Sequence, residues 1–257
     1  KTLGMMDESQ DLEDILYDIQ LQTVRALYDE DTEKVYVISD ITSVGPAEEL
    51  AIALAYMGAV QQQLFDTSEL RRRARNAGVA QVGQGYISTF STLEVEVLNA
   101  PVPDNKLLQA PQIVRETVLF PQREGANFVA EVFGRNGGWE GVAAAYADPP
   151  VSTEQVLHPE KYLAGEKPML SVAPDVSSKL GAGWSQINAD TMGEFILKAY
   201  LAQYLTESET AAAVAGWGGD GYSLLTGPEG QRLMLSVIRW DSLEESKEFF
   251  DARYSWE

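Results

Sequence analysis

The sequence has no cysteine and a single histidine, His158. The first absence removes a disulfide framework, a thiolate nucleophile and any Cys-based metal site. The two together leave too few nitrogen and sulfur donors for an ordinary zinc site within one chain. Carboxylate-bound Ca²⁺ or Mg²⁺ stays open. Basic residues are also scarce: 19 Lys and Arg stand against 39 Asp and Glu, giving a net charge of −20. A field of that sign repels phosphate backbones, so nucleic acid is not an expected partner. No apolar run reaches the length of a membrane span. The chain starts at Lys1 without a leader of basic, apolar and small residues, and so reads as a mature or trimmed piece. There is no Gly-x-Ser-x-Gly elbow, and a Ser-His-Asp triad would have to use His158, which sits beside Pro159.

What remains is a globular composition, 257 residues with 45% hydrophobic side chains, enough for a real core. Apolar residues at Leu12, Ile15, Leu16 and Ile19 have helical spacing. Two β-rich runs, 24–28 and 34–38, flank the acidic link 29–33 and predict a hairpin. That link reads as a solvated turn, because a Ca²⁺ loop would need a glycine and a spacing it lacks. Gly45-Pro46 opens a helix running to Leu64. Its middle, 50–57, is apolar all round, which predicts a central helix buried on every side. Arg71-Arg72-Arg73-Ala74-Arg75 reads as a solvated helix face or, alternatively, an anion or lipid-headgroup patch. A helix over 76–99 carries Gly78, Gly83 and Gly85, which predict close approach to the buried helix.

Further helices are expected over 125–133, 139–146, from Ser152 to His158-Pro159, over 192–205, after the Thr206 cap, and over 243–254. Trp139 is expected to fill core where its helix starts. Gly216-Trp217-Gly218-Gly219-Asp220-Gly221 reads as a tight turn, and 232–240 as the strongest strand. Composition shifts at Lys167-Pro168, dividing 1–166 from 167–257, or marking an internal joint in one continuous domain. The fold class expected is α+β, helix-dominated, with small β-hairpins near both ends.

Several stretches carry a family likeness. They are the acidic hairpin from Tyr28 to Val37, then Gln61-Gln62-Gln63-Leu64-Phe65-Asp66, then Gly137-Gly138-Trp139, Pro149-Pro150 and Ser152-Thr153-Glu154-Gln155-Val156-Leu157-His158-Pro159-Glu160-Lys161-Tyr162, and last Gly216-Trp217-Gly218-Gly219-Asp220. Together they resemble a family of extracytoplasmic, gluzincin-like zinc metallopeptidase homologues, and the likeness implies a zincin-like domain. That family's metal helix carries His-Glu-x-x-His just before a Gln-rich stretch ending in Phe-Asp. Here the two His positions hold Leu54 and Gly58, and the general-base position holds Ala55. The position of the third ligand, a Glu on the next helix, matches Gln84 or, in an alternative alignment, Gly83; glutamine is a poor zinc ligand and no base. The likeness therefore implies a vestigial metal site at Leu54, Ala55, Gly58 and Gln84, with no cofactor and no catalytic residue. Candidates for lining the old cleft are Tyr56, Gln62, Tyr86, Glu124, His158 and Tyr162. His158 also reads as a structural histidine fixing a helix end.

The function this implies is a catalytically inactive peptidase-like module, secreted or lipid-anchored at a cell envelope, that binds a peptide or envelope protein or acts as a scaffold. The alternative is an active hydrolase of another kind, with Glu124 or Glu154 as base or as ligands for a hard cation. A third class is a purely structural subunit of an envelope assembly. The sequence leaves the oligomeric state open.

Overall fold

The computed structural model describes residues 3–38, 44–70 and 105–254. They are mixed α and β with helix dominant, and among them no helix is long and apolar enough to cross a membrane. Contacts divide the chain into two compact units, Glu8–Pro150 and Val151–Glu257, with the residues up to Asp7 joining the latter. The division falls ahead of the composition shift at Lys167.

In the first unit, helix α1 (Leu12–Thr23) starts where the Asp11 carboxylate accepts the amides of Glu13 and Asp14, and it buries Ile19. Strands β1 (Ala26–Asp29) and β2 (Lys34–Val37) form the expected antiparallel hairpin. Its acidic link is a turn in which Asp29 Oδ1 accepts from the amides of Asp31 and Thr32, at 2.9 and 3.1 Å. Helix α2 (Pro46–Phe65) packs on this hairpin. Proline suits its first position, where the missing N–H has no helical partner to lose.

The expectation that α2 is buried on every side is not met. Ala55 and Ala59, one turn apart, face inward, while Tyr56 is 64% exposed, Met57 46% and Leu64 68%. Leu50, Ile52 and Leu54 are half-buried. The described residues cover α2 along one stripe, and an all-round apolar composition does not itself supply neighbours on every side. The arginine run at 71–75 and the helix expected over 76–99 lie outside the described residues.

Helix α3 (Gln112–Phe120) passes through a π-helical turn, Pro121–Gly125, into α4 (Ala126–Arg135). Proline has no N–H for the α-helical ladder, so the bonding pattern widens at that point. Val114, Phe120, Phe128 and Val132 are buried here. Helix α5 (Trp139–Ala147) adds Val142, Ala145 and Tyr146, and Phe65 stacks on Tyr146 with ring centroids 3.9 Å apart. Trp139 is not core: it is 68% exposed and meets the Phe133 ring edge-on at 5.0 Å. At the first position of a helix its side chain leans back over the loop and away from the core.

The second unit begins with two short helices, α6 (Thr153–Leu157) and α7 (Pro159–Leu163). It continues with β3 (Ser185–Asp190), α8 (Gly193–Leu201), α9 (Glu207–Val214), β4 (Trp217–Thr226), β5 (Arg232–Trp240) and α10 (Leu243–Tyr254). The three strands form one antiparallel sheet in the order β3-β4-β5. The expected C-terminal hairpin is therefore joined by a third strand. Ser185–Asp190 is exposed along its whole length, with Ile187 its one large apolar residue, so it lacks the apolar face that marks a half-buried strand. Leu197, Leu201, Ala213, Val214 and Trp217 make the core under the sheet, with Ile238, Trp240 and Phe249 packed against it.

The glycine run is not a tight turn either. Gly216 has φ of 68°, but the chain from Trp217 onward is strand, buried through Gly221. An extended segment, residues 169–173, lies along it, with Met169 N donating to Gly218 O at 2.6 Å. A Cβ added at Gly219 would lie 2.1 Å from Met169 O, and one at Gly221 would lie 2.4 Å from Ser171 O. These glycines let two backbones approach where a side chain would part them.

Two glycine substitutions should separate by sign. Gly221→Ala is expected to cost about 1–3 kcal/mol through overpacking. A Cβ at Gly58 meets nothing within 4 Å among the described residues, so Gly58→Ala in α2 is expected to add about 0.5–1 kcal/mol from helix propensity. Urea unfolding followed by circular dichroism measures both.

Candidate functional site

The densest group of charged side chains among the described residues is built on α6 and α7. Ser152 caps α6, its Oγ accepting from Gln155 N at 3.2 Å, and Thr153, Glu154, Gln155 and Val156 are buried. His158 closes α6 by donating its amide to Glu154 O at 2.7 Å, and Pro159 restarts the chain as α7. The carbonyl of His158 accepts from Lys161 N at 2.9 Å. Two short turns thus place Glu154, His158 and Lys161 close together.

Lys161 is the centre of a charge network. Its Nζ donates to Glu154 Oε1 at 2.5 Å and to Asp241 Oδ2 at 2.6 Å, and lies 3.0 Å from Glu166 Oε1. Glu154 comes from α6, Glu166 follows α7, and Asp241 follows β5. Burial pushes the Glu154 carboxyl up to about 7, against the lowering pull of the ammonium. Burial works to lower Lys161, but its hydrogen bonds to Asp241, Glu154 and Glu166 outweigh that and hold it above the usual lysine range. The three carboxylate oxygens lie within 4.8 Å of one another, a spacing that a divalent cation could bridge. The ammonium already contacts all three, so Lys161 stands in the cation's role.

His158 makes a second polar junction. Its Nε2 lies 3.0 Å from Glu194 Oε1, in the first turn of α8, and its Nδ1 lies 3.7 Å from Glu160 Oε1. The hydrogen bond to Glu194 raises the imidazole above its usual range, against the opposing effect of burial. The start of α8 has two further anchors. Asp220 of β4 accepts the amides of Met192 and Gly193 at 2.9 and 2.8 Å. Thr153 Oγ1 accepts from Phe195 N at 3.2 Å. Burial raises the Asp220 carboxyl, and those amide bonds hold the rise down. Beside the network, a groove of about 370 Å³ is lined by Met169, Trp240, Asp241 and Leu243 among others.

The sequence-predicted positions fall in different places. Leu54, Ala55 and Gly58 lie on α2 in the first unit, with Ala55 inward, Leu54 half-buried and Gly58 beside open space. Tyr56 is exposed on the same helix. Gln62 is a structural tie: its Oε1 accepts from Thr67 Oγ1 and from Ser68 N at 3.1 Å, and its Nε2 donates to Ser68 Oγ at 2.8 Å. Ser68 Oγ in turn donates to Glu30 at 2.6 Å, fastening the end of α2 to the hairpin turn. Glu124 is half-buried in the π-helical turn. Gln84 and Tyr86 lie outside the described residues. His158 and Tyr162 belong to the second unit, both partly exposed. Sequence reasoning missed Lys161, Glu166, Glu194 and Asp241 as members of the cluster. The seven-residue spacing of Glu154 and Lys161 was a usable signal; Asp241, 80 residues beyond Lys161, gave none.

A family described only as a domain of unknown function, DUF8575, has a model that matches residues 179–256. That span holds the sheet, α8 to α10, and the acids Glu194, Asp220 and Asp241, but ends short of Glu154, His158 and Lys161. No curated protein and no solved structure matches the chain.

Removing one member of the network should be far worse than neutralising another. Lys161→Met strands the buried Glu154 carboxylate and is expected to cost about 3–5 kcal/mol at pH 8. The cost should shrink toward pH 5, where Glu154 takes up a proton. Glu154→Gln leaves Lys161 with two carboxylates and should cost about 1 kcal/mol or less. Urea unfolding of each variant at pH 5 and pH 8 measures the difference.

Proposed function

We propose that the chain is a catalytically inactive, zincin-like metallopeptidase homologue, secreted or lipid-anchored at the cell envelope, that binds a peptide or an envelope protein or serves as a scaffold. The observation that carries this reading is on α2. Positions 54 and 58 stand i and i+4 on one continuous helix, so their side chains share a face about 5–6 Å apart, right for two ligands to one ion. Leucine and glycine occupy them and supply no donor; Ala55 supplies no base. Peptide hydrolysis in that architecture needs a metal-bound water and a general base. The pairing of His158 with Glu194 also supports the reading, since the one imidazole of the chain is already engaged. The envelope location rests on the family likeness alone.

The alternative, a hydrolase working through carboxylates, draws on Glu154, a buried acid titrating at about 7 beside an ammonium. That acid is 2% exposed and bonded to Lys161, so a substrate would have to break the network to reach it.

Metal content after dialysis, read by mass spectrometry, tests the proposal together with casein digestion. The wild type is expected to hold no stoichiometric zinc and to cleave nothing. The triple variant Leu54→His, Gly58→His, Gln84→Glu is expected to retain about one zinc, near the usual Zn–N distance of ~2.0–2.1 Å. Zinc near one equivalent in the wild type, or chelator-sensitive cleavage that copurifies with it, would overturn the inactive reading. A folded triple variant that stays metal-free would refute the helix alignment behind it.

A further inference from the structure

We propose that His158 and Glu194 form a proton-dependent latch fastening the α6–α7 pair to the first turn of α8. The inference is independent of the proposed function. Glu194 is 3% exposed, and its Oε2 has no hydrogen-bond partner among the described residues. Its other oxygen, Oε1, accepts from His158 Nε2 at 3.0 Å. A buried carboxylate with a single partner is best held when that partner is a cation; a neutral donor leaves its charge uncompensated. His158 is well placed to be that cation. Its backbone is pinned on both sides, through Glu154 O and Lys161 N, which fixes where the side chain starts. Its side chain is 37% exposed, so protons exchange with it from solvent.

The groups around the pair favour a charged ring. From α7, Glu160 adds a second negative charge at 3.7 Å. Lys161, also on α7, opposes it, but its ammonium is committed to Glu154, Glu166 and Asp241. From α6, Glu154 faces Glu194 as a like charge, which makes a cation beside Glu194 the more favourable. The Glu194 hydrogen bond, first among the causes, lifts His158 above 6.5. A group whose folded value is raised contributes stability that is complete below its unfolded value and is lost as pH climbs through the folded one. The latch is therefore closed in mild acid and loosens from about pH 6.5 upward. Glu154 follows the same sign and is still titrating around pH 7, so the latch's own share of the pH dependence is the difference between the wild type and His158→Gln.

The Phe195 amide, which donates to Thr153 Oγ1 across the same junction, reports on the latch. As His158 is the only histidine, its ring nitrogens can be titrated by ¹⁵N NMR in the full chain without assignment. The wild type should show His158 titrating above 6.5, and Glu194→Gln should bring it back to 6.5 or below. After correction for intrinsic exchange, opening at the Phe195 amide should grow as pH climbs past 6.5, by at most about tenfold per pH unit for a single proton. In His158→Gln the rise should be smaller, leaving only the part that Glu154 contributes. A wild-type His158 titrating at or below 6.5, or the same rise in opening in His158→Gln, would overturn the latch. So would a His158→Gln variant whose opening differs from the wild type by one constant factor at every pH, the signature of a purely structural histidine. If His158→Gln does not fold, the Glu194→Gln titration decides alone.

Discussion

Lys161 reaches carboxylates from three separate parts of the second unit: a helix before it, the loop after it, and the end of a strand far along the chain. Little else in that region could sit as it does without this ammonium. Glu154 is buried, and α6 has five residues, too few to hold itself together by helix propensity alone. The network supplies what the helix lacks, a partner for each buried charge. Its arithmetic is unbalanced, with more acid than base around one cation. The surplus fits a chain whose acidic residues outnumber basic ones by about two to one. Attraction in the interior is drawn from a molecule that mostly repels itself at its surface.

Backbone contact shapes the other side of this unit. The core under the sheet is ordinary, built of Leu197, Leu201, Val214 and Trp217. Over Gly219 and Gly221, by contrast, a second length of chain lies with its backbone against the strand, and its amide at Met169 bonds directly to Gly218. The same strand carries Asp220, turned to the amides that start α8. One short run therefore serves as a bed for the extended segment and as the anchor of a helix.

Much of this was legible in the sequence where a local signal carried it. Helix starts at Pro46 and Thr206, the first hairpin, and the long strand ending at Trp240 all follow from capping residues, proline placement and alternation. The failures have physical causes. A helix apolar all round is read as enclosed, yet enclosure depends on neighbours that periodicity does not describe, and Tyr56 and Met57 face outward. A run of glycines is read as a turn, because the pattern cannot say that another backbone needs the room. An exposed strand such as Ser185–Asp190 is held by its partner's hydrogen bonds, with no buried face to betray it. The charged cluster was half visible: Glu154 and His158 drew notice as single residues, but their partners at 194 and 241 come together only through the fold.

The segment at 169–173 inverts the ordinary relation between size and constraint. Ser171 and Ala173 turn inward against the glycines, while Leu170 is 85% exposed and Val172 is 72% exposed. The bulky apolar residues there are the ones free to vary, and the smallest residues are the ones that cannot change. Natural drift at this place would run through the leucine and valine and leave the glycines untouched, so that a comparison judging importance by hydrophobic bulk would rank these positions in reverse.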